Sequence, residues 1–254
     1  MGKKIISFSL WGDKNAYYYG MLENILKRNS VYPDWTIRIY YGDGSLMDEF
    51  IPIYKTFEYV ECIDMIEFNK KHWGKIQTSK NMMWRFLPCF ENKDDIEVVL
   101  FRDNDSVFTK REANAVNTWL KSDKIFHIMK DNRKHSGVIL GGMWGFKNDN
   151  SLIKFKNQMI NYPANENDKG VDMFFIKKIV YKIASQNCMI TTGNDASPNI
   201  ISGNNDNIEI NQFIPYYCND FVGKPISKTP LAFKYLNIKP IKLFKKPWGE
   251  SFDK

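Results

Sequence analysis

Two aspartates one residue apart, Asp103 and Asp105, stand where an apolar run ends: Ile96, Val98, Val99, Leu100 and Phe101 give way to Arg102-Asp103-Asn104-Asp105-Ser106. In extended backbone, residues two apart point the same way, so both carboxylates would share one side while Asn104 faces the other. Two like charges that close repel unless a cation lies between them. Mg2+ and Mn2+ suit such a pair, because they are held by one or two carboxylates and complete their octahedra with water and substrate phosphates. The competing reading is a turn that closes the strand, with Asp and Asn bonding their own backbone.

The elements that must position this pair alternate. Lys4 to Leu10 reads as a strand, Ala16 to Lys27 as a helix, Thr36 to Tyr41 as a second strand closed by Gly42-Asp43-Gly44, and Tyr59 to Ile63 as a third. A helix is predicted from Ser79 to Leu87, stopped by Pro88, and the strand at 96 to 101 follows. Beyond it come a helix from Arg111 to Lys121, a strand from Ile125 to Met129 and a glycine-interrupted apolar stretch from Val138 to Phe146. Helices over 151 to 160 and 171 to 184 precede a loop or short hairpin from Gly193 to Asn211. This β-α-β-α order implies an α/β fold with a mainly parallel sheet covered by helices on both faces. Ligands of such sheets bind outside the carboxyl ends of strands, where Trp11, Gly12, Gly42 and Asp103 fall.

Composition narrows the classes. With 254 residues, 43% hydrophobic and 15% aromatic, the chain can bury a large core without disulfides. Cys62, Cys89, Cys188 and Cys218 form no CxxC pair and no dense framework, which fits reduced thiols in a cytoplasmic compartment. The start, MGKKIISFSLWG, is too short in its apolar part for a signal peptide, and no run approaches a membrane span. The net charge of +7 suits a negatively charged nucleotide substrate, and the tail segment KPIKLFKK is a candidate peripheral contact with an anionic membrane. Basic and aromatic residues are not clustered enough for nucleic acid.

Several side chains stand out beside the aspartate pair. Arg85, in MMWRFLP, is a lone charge among apolar residues and needs a partner, either a phosphate or a carboxylate. Trp11 and Tyr17 offer rings for a base, and Gly12 allows close backbone approach. Trp144, after Gly141 and Gly142, offers a flat face for a pyranose ring. Asp172 opens a helix, where it either favours the helix dipole or serves as a general base, and His135 is one of three histidines.

Read in order, IISFSLWGDKNAYYYGMLENI, MMWRFLP, VVLFRDNDSVFTKREANAVNTWL, FHIMKDNRKHSGVILGGMWGF and GVDMFFI make the chain resemble nucleotide-sugar-dependent glycosyltransferases of the GT-A fold. The likeness is to small bacterial and giant-virus proteins with an RDxDS metal motif, and it spans roughly residues 4 to 225. It implies a Rossmann-like αβα sandwich in one domain over residues 1–254, with residues 1–106 as the nucleotide-binding half and 107–254 as the acceptor half and tail. It also implies transfer of a hexose from a nucleoside-diphosphate sugar, a UDP-sugar foremost, to a hydroxyl of a glycan, lipid or protein. Asp103 and Asp105 then hold Mn2+ or Mg2+. Ser9, Leu10, Trp11, Gly12, Tyr17, Arg85, Arg102, Asp103 and Asn104 line the donor, and Gly141, Gly142 and Trp144 face acceptor and sugar. Asp172 is the candidate base, with His135 beside it as a catalytic or ligating group. Relatives carry Asp-Gln where this chain has Asp172-Met173, and FKKPWG at 244 to 249 matches only part of a glycogenin-like closing motif, leaving Asp195 or His135 as substitutes for a third ligand. The alternatives are a sugar nucleotidyltransferase, whose glycine-rich, lysine-bearing loop is missing from SLWGDKNAYYYG, and a noncatalytic carbohydrate-binding protein.

Overall fold

The computed structural model describes residues 2–72, 78–163, 170–193, 207–214 and 221–226. Its strands are β1 (Lys3–Leu10), β2 (Thr36–Tyr41), β3 (Val60–Asp64), β4 (Ile96–Phe101), β5 (Phe126–Lys130), β6 (Trp144–Lys147), β7 (Cys188–Thr192) and β8 (Ile208–Gln212). They form one eight-stranded sheet in the order β3-β2-β1-β4-β6-β5-β7-β8. The pairs β1/β2, β1/β4, β2/β3, β5/β7 and β7/β8 are parallel, and β6 runs antiparallel to β4 and β5. The mainly parallel α/β sheet expected from the sequence is therefore present.

Alternation along β1 shows how the two faces are built. Ile6, Phe8 and Leu10 join the core beneath α1 (Asn15–Val31), α2 (Met47–Tyr54) and α4 (Lys110–Lys121), whereas Ile5 joins the core on the opposite face. A third helix, α3 (Met65–His72), follows β3. The opposite face is covered by a 3-10 helix (Thr78–Phe90), α5 (Lys156–Ile160) and a helical run comprising Val171–Phe175, the π-helical Ile176–Val180 and Tyr181–Ala184. Isoleucine, valine and phenylalanine alternating between two helical layers explain why β1 and β4 are buried on both sides.

The sequence order runs β1, β2, β3 outward in one direction, then returns to place β4 on the other side of β1. This reversal opens a crevice at the carboxyl ends of β1 and β4, the place where ligands of open α/β sheets bind. Leu10 and Phe101 end the two strands there.

Three expectations change. The helix predicted to stop before Pro88 is a 3-10 helix that contains it. In the i to i−3 pattern the N–H of residue 88 would bond the carbonyl of Arg85; proline has none, and Ser7 Oγ donates to that carbonyl instead at 2.7 Å. The apolar stretch from Val138 to Phe146 is a strand only from Trp144, because Gly141 and Gly142 pack against side chains of the site described below. The 193 to 211 stretch ends in β8, parallel to β7 rather than in a hairpin, with residues 194–206 outside the described set.

Candidate functional site

The crevice is organised around Arg85. Ser7 and Ser9, two residues apart in β1, point to the 3-10 helix, and while Ser7 Oγ bonds the Arg85 carbonyl, Ser9 Oγ accepts the Arg85 N–H at 2.8 Å. Both backbone groups of Arg85 are thus tied to β1, which fixes where its side chain emerges. The guanidinium donates to Asp103 Oδ1, to the Arg102 carbonyl at 3.2 Å and to Asp172 Oδ2 at 2.7 Å. Burial opposes its charge, but Asp103 and Asp172 outweigh that and hold it protonated more firmly than usual. The lone charge of MMWRFLP has its partners, and both are carboxylates.

Asp103 and Asp105 sit in a tight turn, closed by Ser106 N–H on the Asp103 carbonyl at 3.2 Å. The turn and the cation site are therefore compatible readings of the same residues. The extended backbone on which the expected alternation of Asp103, Asn104 and Asp105 rested ends at Phe101; within the turn Asn104 is buried and its Nδ2 donates to the Ser9 carbonyl at 2.5 Å. Asp103 keeps 48% of its side chain exposed. Burial, and then the like charge of Asp103, push the Asp105 carboxyl above its ordinary value, while Lys14 and Arg85 draw it back. A carboxylate whose charge is made costlier by burial and by a neighbouring carboxylate belongs to the kind of donor set a divalent cation relieves. Among the described residues no cluster of three carboxylate, histidine or cysteine side chains forms. Asp195 and FKKPWG lie outside the described residues.

Gly141 and Gly142 make room for these carboxylates. A Cβ on Gly142 would overlap the Asp103 carboxylate and stand 2.8 Å from its backbone nitrogen; one on Gly141 would overlap Asp172 Oδ2 and stand 2.5 Å from Arg85. The two glycines thus belong to the floor beneath Asp103, Arg85 and Asp172. Asp172, at the start of its helix, accepts the Met173 N–H on Oδ1 at 2.9 Å while Oδ2 takes Arg85. Its carboxylate is buried and doubly bonded.

The loops after β1 and β2 form the other wall. Gly12, at φ +74° with nothing near its missing Cβ, bonds through its N–H to the Asp43 carbonyl at 2.7 Å, and its own carbonyl accepts from Tyr18 Oη at 2.6 Å. Leu10 is buried, Trp11 packs half-buried against the core, and Tyr17 lies half-buried with Lys14 Nζ 3.2 Å from its hydroxyl.

Besides the inward-turned Asn104 and the core residue Leu10, two further predicted site residues, Arg102 and Trp144, point into the protein. Arg102 is buried in the core, where Nε bonds Glu112 Oε1 at 2.6 Å and one terminal nitrogen donates to the Phe101 and Trp144 carbonyls at 2.6 and 3.0 Å. Trp144 is 1% exposed, its ring 4.1 Å from that of Phe101 and 5.7 Å from that of Phe86, so both faces expected to meet a sugar are in the core. Arg102, just past the end of β4, turns to Glu112 of α4, and Trp144, the first residue of β6, turns to Phe86 and Phe101.

His135 belongs to a separate polar cluster at the end of β5. Its Nδ1 accepts the Asp131 N–H at 3.0 Å, and its ring meets Phe221 edge-on at 5.5 Å. Burial, then the charge of Lys130, push its pKa down to about 4 from an ordinary 6.5, so it is neutral at pH 7. The unfolded chain takes up the proton near 6.5 and the folded one resists until about 4, so this histidine removes stability as pH falls through that window. The expected result is that His135→Asn, which keeps an acceptor for Asp131 N–H, loses less stability than the parent chain between pH 7 and about 4.5 when urea midpoints are compared.

Of two residues that sequence reasoning passed over, Asn24 holds the turn and Lys14 lends its charge to Asp105. Asn24, buried in α1, donates to the Ser106 carbonyl at 2.9 Å and accepts the Phe108 N–H at 2.8 Å, clamping the turn from behind. A polar residue between Leu22 and Ile25 on a buried helical face was the available signal. Lys14 was visible only as a lysine following Gly12-Asp13.

No family model and no curated protein matches the chain. Solved structures resemble it distantly. Mannosyl-3-phosphoglycerate synthase from Rubrobacter xylanophilus is 15% identical with a TM-score of 0.41, covering 58% of this chain and 54% of that one, so the match spans about half of the synthase. A glycosyltransferase involved in the glycosylation of the major capsid of PBCV-1 is 12% identical with a TM-score of 0.43, over 74% of this chain and 81% of that one. A candidate nucleotide-diphospho-sugar transferase from Desulfovibrio desulfuricans G20 is 10% identical with a TM-score of 0.41, over 76% and 81%. Likeness at this level carries no argument about activity or residues.

Proposed function

We propose that the chain is a metal-dependent GT-A glycosyltransferase that moves a sugar from a nucleoside-diphosphate donor, a UDP-sugar foremost, to a hydroxyl acceptor on a glycan, lipid or protein. The observation that carries this reading is the placement of Asp103 and Asp105 at the carboxyl end of β4, beside β1 where the strand order reverses, with Arg85 fixed behind them. The sequence resemblance supplies the reaction class.

Asp103 and Asp105 would hold Mn2+ or Mg2+, which neutralises the charge that develops on the departing nucleoside diphosphate. Arg85 fixes Asp103 Oδ1 while the Asp103 side chain keeps 48% of its surface exposed. Gly12 and its neighbours offer close backbone approach to a nucleoside, with Trp11 and Tyr17 as rings beside it. Asp172 holds Arg85 from the far side. Each of its oxygens accepts one bond and keeps a lone pair, but the side chain is only 7% exposed, so an attacking hydroxyl would have to reach a buried carboxylate; we assign it first to orienting Arg85 and then to base catalysis.

Calorimetric titration of the full chain with a panel of nucleotide sugars, with and without Mn2+, tests the reading. Binding of a nucleoside diphosphate sugar that requires the metal is the expected outcome. No binding in the presence of Mn2+ refutes the proposal. Binding without transfer or donor hydrolysis favours the noncatalytic alternative.

A further inference from the structure

The segment 221–226 ties the two polar clusters together. At one end the Val222 N–H donates to Asp131 Oδ2 at 2.7 Å, and Phe221 packs edge-on against His135. At the other end the Ile226 N–H donates to the Asp105 carbonyl at 2.7 Å, and Pro225 forms an antiparallel bridge with Ser106. Between them a turn closes with Lys224 N–H on the Phe221 carbonyl at 3.2 Å, and Gly223, at φ +80°, lies against Met143 so closely that a Cβ would come within 2.7 Å of its sulfur.

The Asp131 end is a rigid anchor. Asp131 is fully buried at the carboxyl end of β5, and Arg111 of α4 clamps both its oxygens. Arg111 is itself fixed through Nε on the Ile214 carbonyl at 2.6 Å and lies 4.3 Å from the Phe213 ring. A buried carboxylate held bidentately by a guanidinium has little freedom, so whatever it bonds inherits its position. What it bonds is the start of a six-residue strap whose other end holds the backbone of Asp105.

We propose that Asp131 is a positioning residue for the cation site: it anchors segment 221–226, and through the Ile226 N–H on the Asp105 carbonyl the strap sets where the Asp105 carboxylate stands relative to Asp103. The clamp by Asn24 on Ser106 and Phe108 holds the same turn from the α1 side, so the strap completes a two-sided grip. This inference rests on the assignment of Asp103 and Asp105 as cation ligands. Outer residues that orient metal ligands matter to affinity although they never touch the ion.

The test uses the full chain, with Mn2+ alone as the probe, and compares the parent with Asp131→Ala and Asp131→Asn. Amide hydrogen exchange at Val222 and Ile226, without metal, reports the strap; Mn2+ titration by electron paramagnetic resonance reports the site. In Asp131→Ala both amides are expected to exchange faster and Mn2+ affinity to fall about tenfold, while β1 and β4 amides stay protected. Asp131→Asn keeps one oxygen for Val222 N–H and is expected to lie between parent and alanine variant on both readouts; it carries the test if the alanine variant does not fold. Unchanged exchange at Ile226 overturns the anchor. A released strap with Mn2+ affinity within about twofold of the parent overturns the positioning role. Failure of the parent itself to bind Mn2+ refutes the cation site instead, and leaves the strap to be judged by exchange alone.

Discussion

Exchanging Arg102 for methionine is expected to cost about 3–5 kcal/mol of stability, because it strands a buried carboxylate. Arg102 and Glu112 each expose only 4% of their side chains, and Glu112 keeps a single remaining side-chain donor, Tyr32 Oη at 2.8 Å. Small domains unfold with about 5–15 kcal/mol, so the loss consumes a large share of the total. Adding Glu112→Leu removes the stranded charge, and the pair of apolar residues is expected to return most of that stability. Urea denaturation of the parent, the single and the double variant measures this directly. The double variant also separates two roles for Arg102: a purely structural arginine leaves Mn2+-dependent donor binding near the parent level once the fold is restored, whereas an arginine that touches the donor does not.

Arg102 shows where sequence reading stops. The apolar runs of β1, β2 and β4 were legible because burial on two faces demands consecutive large hydrophobic residues. The pairing of Asp103 with Asp105, and the need of Arg85 for a partner, were legible because like charges repel and a buried charge must be compensated. The direction in which Arg102 points was not. It depends on Glu112, ten residues later, facing the same layer from α4, a relation that only the packed helix creates. Trp144 is the same case. Its aromatic face suited a sugar in isolation, but Phe86 and Phe101 come from two other elements to cover it.

Ser9, Gly141 and Gly142 show how small residues at a site carry contacts within the protein. Ser9 and the two glycines at 141 and 142 were expected to face ligands, and they sit at the site, yet the described contacts are with protein. Ser9 holds Arg85 and Asn104, and the glycines admit the carboxylates of Asp172 and Asp103. Small residues near a functional centre satisfy either demand, close approach of a ligand or close approach of the centre's own side chains, and spacing along the chain does not distinguish them.

The last prediction exploits a conflict between stability and chemistry. Asp105 is partly buried beside a second carboxylate, and a fold selected for stability alone gains nothing from that. Asp105→Asn removes the like charge while keeping the shape and the backbone carbonyl that Ile226 N–H bonds. The variant is expected to be as stable as the parent or more so in urea denaturation, and yet to lose Mn2+-dependent sugar transfer by about 100-fold or more, since an amide oxygen cannot replace a charged ligand where leaving-group charge develops. Asp103→Asn differs in a way that can be checked. It also deprives the buried guanidinium of Arg85 of one of its two carboxylates, leaving Asp172 alone, so it is expected to lose stability as well as activity. A pair of aspartates that serves only to close a turn would give the opposite ranking: little change in any transfer activity from either variant, and a loss of stability from both. Measured side by side, the two asparagine variants therefore decide whether the repulsion at the end of β4 is tolerated because a cation resolves it.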